Sequence, residues 1–243
     1  MTFQPNQSGG GLGQATDAQR VGVSPPATVA VQGAFLTQAF FWMFAGLLLT
    51  AGVAAFAQFN EQLITFAANN FLILILAQLG LALGIQFLIG RISASLALGL
   101  FFIYAASLGL TIGVIVGLYT IESVASAFFS ASAMFGGAAL YGYTTKRSLA
   151  TIGGYAYMAI FGLFAAMIVN FFVGSGPLGY VISFIGVVLF TVLTAWDVQR
   201  IQSGQLVAAL GSVEKAAVIG ALHLYLDFVN LFLFLLRLFG GRR

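Results

Sequence analysis

SLATIGGYAYMAIFGLFAAMIVNFFVGSGPLGYVISFIGVVLFTVLTAW, residues 148–196, carries no charged side chain. A helix crosses the roughly 30 Å hydrocarbon core of a bilayer in about 20 residues, so this run is far too long for one crossing. Gly174-Ser175-Gly176-Pro177 divides it, because glycine and proline punctuate helices. Two successive spans follow, over about 149–173 and 177–200. Working outward, apolar segments of spanning length recur at about 34–57, 70–90, 93–118 and 123–144, and again at about 215–238. The last is apolar except for His223, Asp227, Asn230 and Arg237, and such groups cannot face hydrocarbon cheaply. It is therefore expected to lie buried among the others.

Composition agrees. At 60% hydrophobic, 6% charged and a mean hydropathy of +1.04, the chain has lipid as its preferred solvent. The expected fold is an all-α polytopic membrane protein of seven transmembrane helices, with one transmembrane domain over 34–243. Residues 1–33 are rich in Gly, Gln, Ser, Thr and Pro and lack the basic and apolar regions of a signal peptide. They read as a disordered tail. The net charge of +3 comes from scattered basic residues, so no nucleic-acid partner is expected. Without cysteine there is no thiolate site or cysteine nucleophile, and one histidine cannot build a multi-imidazole metal site. Any metal chemistry falls to oxygen ligands.

Lysine and arginine set the orientation. Arg20, Arg91, Lys146, Arg147, Arg200 and Lys215 fall in the tail and alternate loops, whereas the loops near Glu61, Glu122 and Gly174 have none. The positive-inside bias then puts the N-terminal tail in the cytoplasm. Arg242 and Arg243 end the chain; seven full crossings place them outside, and a re-entrant last segment would keep them inside.

Among only six acidic residues, Asp197 and Asp227 sit in apolar runs, LTAWDVQRI and LHLYLDFVNLF. A charged side chain at membrane depth costs about 2.5–3.5 kcal/mol on insertion scales, so both ask for a reason beyond packing. In the inferred topology the second span ends at Arg91, the sixth ends just after Asp197, and the seventh starts from the same side and carries Asp227. All three charges can converge in the cytoplasmic half, with Arg91 as the countercharge. His223 is four residues from Asp227, so the two could meet on one helix face. Each also has a plainer reading: Asp197 as an interfacial residue, His223 as a hydrogen-bonded packing residue, Arg91 as a snorkelling anchor. Asn170 and Asn230 read as interhelical hydrogen-bond partners, and Gly136, Gly137, Gly142, Gly153 and Gly154 as close-packing positions.

The stretches FGGAALYGYTTKRSL (135–149) and LYLDFVNLFLFLLRLFG (224–240), together with the aspartate before Gln199-Arg200-Ile201, resemble the Bax inhibitor-1 family, the transmembrane Bax-inhibitor-motif proteins. The resemblance covers about residues 30–240. It implies a seven-helix fold with the last helix in the middle, a pH-sensitive aspartate pair and a calcium leak. By motif position Asp197 and Asp227 match that pair, and Arg91 matches a basic residue that locks it. Ser148 departs from the acidic residue many bacterial relatives show after Thr-Thr-Lys-Arg, and His223 is an unusual neighbour for the aspartate motif.

The expected function is a pH-sensitive calcium or cation leak channel, not an enzyme, in which Asp197 and Asp227 titrate as a coupled unit. Arg91 is expected to lock the pair, with His223 and Asn230 as possible modulators. Calcium wants six to eight oxygens, so two carboxylates, water and backbone carbonyls would hold it only in passing. No tightly bound cofactor is expected, and calcium enters as the transported ion. The expected partners are the lipid bilayer, calcium ions and another membrane protein. Two other classes stay open: a non-transporting regulator that binds a membrane protease or other partner, and an intramembrane aspartyl protease. The latter lacks its Gly-x-Gly-Asp context here. Cysteine-free external loops without lysine or arginine fit a bacterial inner membrane.

Overall fold

A computed structural model describes the backbone of residues 26–241 and side chains from residue 34 onward. Nine helices follow among the described residues: α1 (Pro26–Gln58), α2 (Glu61–Asn69), α3 (Phe71–Leu88), α4 (Ala94–Val116), α5 (Ile121–Thr144), α6 (Ala150–Val173), α7 (Gly176–Gln202), α8 (Gln205–Leu210) and α9 (Val213–Phe239). Seven are long and apolar enough to cross a membrane, with the first span running over Ala34–Gln58. The expected tail lies outside the described residues over 1–25, and over 26–33 the backbone continues α1.

Local chemistry sets the helix ends. Ser93, Thr120, Ser175 and Ser212 each stand in extended backbone and accept a hydrogen bond from an N–H of the first turn, starting α4, α5, α7 and α9. Between α6 and α7 the predicted turn forms as read. Gly174 takes the left-handed conformation at φ +67°, Ser175 caps α7 and Pro177 sits in its first turn.

α9 is the hub. Of its most apolar window 78% is buried, against 17% for α3 and for α6, which makes it the central helix. α1, α4, α5 and α7 pack around it, while α6 leans on α7 and α3 on α4 at the rim. Tyr225, fully buried at mid-helix, holds α1 and α4 to this hub. Its ring packs edge-on against Phe101 and Tyr104, and its hydroxyl meets Thr50 Oγ1 at 2.6 Å. Thr50 spends its own proton on the carbonyls of Gly46 and Ala105, both at 2.9 Å, so Tyr225 is the donor.

Five basic residues gather at one end of the bundle, and Arg237 stands at the other, over Gly179. Lys215 Nζ reaches the Gly90 carbonyl at 3.4 Å, and Gln199 accepts from Leu149 N and donates to the Arg147 carbonyl, both at 2.8 Å. These contacts gather the loops of Arg91, Lys146, Arg147, Arg200 and Lys215. At the other end Gly241 N donates to Ser123 Oγ at 2.9 Å, so α9 crosses completely and its end lies beside the start of α5. Of the two alternatives the sequence left open, full crossing or re-entry, the last helix makes the full crossing.

Glycine roles divide. A Cβ at Gly142 would overlap the Ala195 carbonyl and one at Gly153 the Trp196 indole, so these two let α5 and α6 close on α7. Gly136, Gly137 and Gly154 face open space, which corrects their reading as packing positions.

Candidate functional site

α7 and α9 run antiparallel, and their contacts fix the register. Arg237 covers Gly179, Phe234 covers Gly186, and Ile201 packs beside Gly220. The same register sets Asp197 level with His223 and Thr194 level with Asp227. Both aspartates are buried, at 7% and 4% exposure, within the α7–α9 interface.

His223 Nδ1 stands 3.8 Å from Asp197 Oδ1. On the other side of the ring, His223 Nε2 is 3.4 Å from Gln86 Oε1 on α3. The imidazole thus bridges the inner helix pair to a rim helix. Asp227 lies close enough to feel the charge of Asp197 and faces the hydroxyl of Thr194. That hydroxyl donates to the Phe190 carbonyl at 2.7 Å, which leaves it only lone pairs to offer a neighbour. Asp227 Oδ2 is buried and has no hydrogen-bond partner among the described residues. Arg200, stacked at 5.4 Å over the Trp196 ring one turn from the site, adds its charge to Asp197 and His223.

Of the residues singled out from sequence, the structure brings Asp197, Asp227 and His223 together. His223 pairs across to Asp197 rather than along its own helix to Asp227. Arg91 is exposed at the α3–α4 turn, and its guanidinium makes no ion pair with either aspartate. Asn230 donates back to the Leu226 carbonyl at 2.8 Å on its own helix, so the expected interhelical bond is not the one it makes. Asn170 is buried with its Oδ1 unpartnered among the described residues. Sequence reasoning missed Gln86, Thr194 and Arg200. Gln86 had a signal: with Gln78 it is one of two polar amides in the otherwise apolar α3.

The cluster sets three titratable side chains from two helices within the bundle, with His223 Nδ1 and Asp227 Oδ2 lacking hydrogen-bond partners among the described residues. Among the described residues no three His, Cys, Asp or Glu side chains converge as a metal cage. Two carboxylates with water and carbonyl oxygens would suit a passing cation rather than a resident one.

Comparison with known proteins agrees with this architecture. A family model described as "Inhibitor of apoptosis-promoting Bax1" matches residues 32–243. The chain is 42% identical over 215 residues to the inner membrane protein YbhL of Escherichia coli K12, covering 86% of this chain and 92% of that one. It is 40% identical over 225 residues to a protein of Deinococcus radiodurans, covering 92% and 97%, and 38% identical over 213 residues to the protein RP147 of Rickettsia prowazekii, covering 86% and 90%. An integral membrane bundle with its last helix at the centre and matching sequence over nearly its whole described length, this chain belongs to the Bax inhibitor-1 family.

Proposed function

We propose that this protein is a pH-sensitive cation leak, with calcium the ion that its family resemblance implies, and that Asp197, Asp227 and His223 form the titrating gate. The observation that carries the reading is the contact chain Gln86–His223–Asp197, with Asp227 beside it, its Oδ2 buried without a hydrogen-bond partner among the described residues, in a membrane-spanning bundle. Ionisable groups at such depth are costly, and a path for ions or protons is their usual reason.

The chemistry of the chain follows from its donors and acceptors. In the tautomer that suits the Gln86 carbonyl oxygen, His223 Nε2 carries the proton and donates across 3.4 Å. At 3.8 Å, Nδ1 and Asp197 Oδ1 make no hydrogen bond, and one further proton, on the ring or on the carboxyl, would draw them together. Losing that proton leaves two lone pairs opposed unless the ring changes tautomer and the Gln86 amide turns over. Titration at Asp197 is thus passed to α3, a rim helix that packs mainly on α4. Release of α3 opens the basic half, where Asp197 and Asp227 guide the cation. By the positive-inside bias that end faces the cytoplasm. Arg91 would act as the lock with the α3–α4 turn swung inward. The separate pairing of Asp197 with His223 does not favour a catalytic aspartate dyad, in which both carboxyls share one proton.

The test is calcium entry into dye-loaded proteoliposomes across a pH series. Wild type should show pH-dependent flux, and Asp227→Asn and Asp197→Asn should each flatten the profile. Flux no greater than that of empty liposomes, with protein shown to be folded, would reject a leak and favour a partner-binding regulator. An unchanged pH profile in both variants would remove the pair from the gate. Arg91→Ala should raise basal flux if the lock forms during the cycle.

A further inference from the structure

α1 and α5 both pack on α9 but barely on each other. In the basic half, the gap between them is closed by Phe40 and Phe135, an edge-to-face pair with ring centroids 6.4 Å apart. In the other half it stays open as a cavity of about 420 Å³, a size typical of ligand pockets. Ala51 and Ala55 of α1 and Ala125 of α5 line its sides, Val116 of α4 its back, and Phe228 and Phe232 of α9 its floor.

The setting decides what fits. Phe129 of the lining is 71% exposed, and Leu48, next in sequence to the lining Leu47, is 57% exposed; both belong to the lipid-facing belt of their spans, so bilayer hydrocarbon is what meets the opening. Thr50 and Gln58 are the polar lining residues. Thr50 is spent on Tyr225 and two carbonyls, and the Gln58 amide nitrogen on the Gly113 carbonyl. The hydrocarbon lining between them gives water no partners, so water does not fill the space. Left unfilled, the walls would lose dispersion contacts. From Leu47 to Gln58 the groove follows α1 for about 16 Å at 1.5 Å per residue. That is about half the roughly 30 Å hydrocarbon core, the depth of one leaflet.

We propose that this groove is a lipid site that takes one acyl chain of a phospholipid from the leaflet at the end where α9 meets the start of α5, laid along α1 with its terminus against Phe228. A chain there differs from ordinary boundary lipid because it touches the central helix. Phe228 and Phe232 are only 7% and 8% exposed and sit behind the mouth.

The experiment uses the full chain in phosphatidylcholine vesicles doped with phosphatidylcholine bearing a mid-chain diazirine, with labelled residues mapped by mass spectrometry after illumination. The expected result is label on Phe228 or Phe232 as well as on lipid-facing residues such as Phe172 of α6. Label confined to lipid-facing residues, with none on α9, overturns the site. Ala51→Phe and Ala125→Phe, which fill the mouth, should each lose the α9 label while Phe172 labelling persists as the control for insertion and folding. Undiminished α9 label in both variants would show another route and also overturn it. A diazirine-bearing free fatty acid is run in parallel. Label on α9 from the free acid but not from the phospholipid would overturn the phospholipid assignment.

Discussion

Thr50→Val should destabilise the protein more than Tyr225→Phe, although the two side chains share one hydrogen bond. Tyr225→Phe removes a donor whose acceptor keeps both of its other contacts, the Gly46 and Ala105 carbonyls. The ring stays packed against Phe101 and Tyr104. Hydrogen bonds between membrane helices average about 0.6 kcal/mol and reach about 1.7, so the loss belongs in that range. Thr50→Val keeps the shape of the α1 side chain but strands the Tyr225 hydroxyl in the fully buried centre of the bundle. An orphaned buried hydroxyl costs about 1–3 kcal/mol. The double variant has no hydroxyl to strand, so its loss should fall short of the sum of the single losses. Equilibrium unfolding of the single and double variants in mixed detergent–lipid micelles, completed as a double-mutant cycle, measures this directly. Equal single losses, or strict additivity, would refute the reasoning by showing that the phenol finds another acceptor.

Gly142→Ala should lower stability by about 1–3 kcal/mol, because the new methyl overlaps the Ala195 carbonyl and α5 must move off α7; an unchanged thermal midpoint would contradict that close approach. Ala195 is two residues ahead of Asp197, so the same variant should also alter the pH profile of flux. Gln199→Ala should cost about 1 kcal/mol and speed amide exchange at Leu149, whose N–H it holds at 2.8 Å. Slow exchange at Leu149 in the variant would show that the loop needs no such tether. His223→Phe should flatten the pH response of flux as Asp197→Asn does while leaving the protein folded; a retained response would reduce His223 to a packing residue.

The spans were legible because a helix crossing lipid announces itself by length and hydropathy alone, and the seven expected segments agree with the helices to within a few residues. The hub position of α9 was legible for a different reason. Asp227 and its polar companions need protein around them, and the centre supplies it. The two short helices escaped notice. α2 is nine residues, buries Ala67 and starts at an Asn60 cap that resembles an ordinary turn signal. α8 is six residues, bracketed by left-handed Gly204 and Gly211 with Leu206 buried between them. Helices this short gain too little from propensity to mark a sequence, and tertiary contact decides them.

The site was legible as residue types but not as pairings. The aspartates were visible from the cost of burying them, which needs no knowledge of neighbours. Their partners depend on the register of α7 against α9, and sequence spacing along one helix says nothing of that. The i, i+4 rule places His223 beside Asp227, yet on a central helix every face meets another helix, and an interhelical partner competes with the one a turn away. Ile201 beside Gly220 and Phe234 over Gly186 set the level at which α9 meets α7. At that level His223 finds Asp197. The Arg91 expectation rested on charge and topology, and topology correctly put it at the right end of the bundle. Depth is what separates it from the aspartates: Arg91 follows the last turn of α3 and is exposed there, whereas Gln86 lies inside α3, level with the imidazole. A neutral amide reaches into the bundle without the desolvation cost of a guanidinium, so the contact between α3 and the buried cluster is made by Gln86.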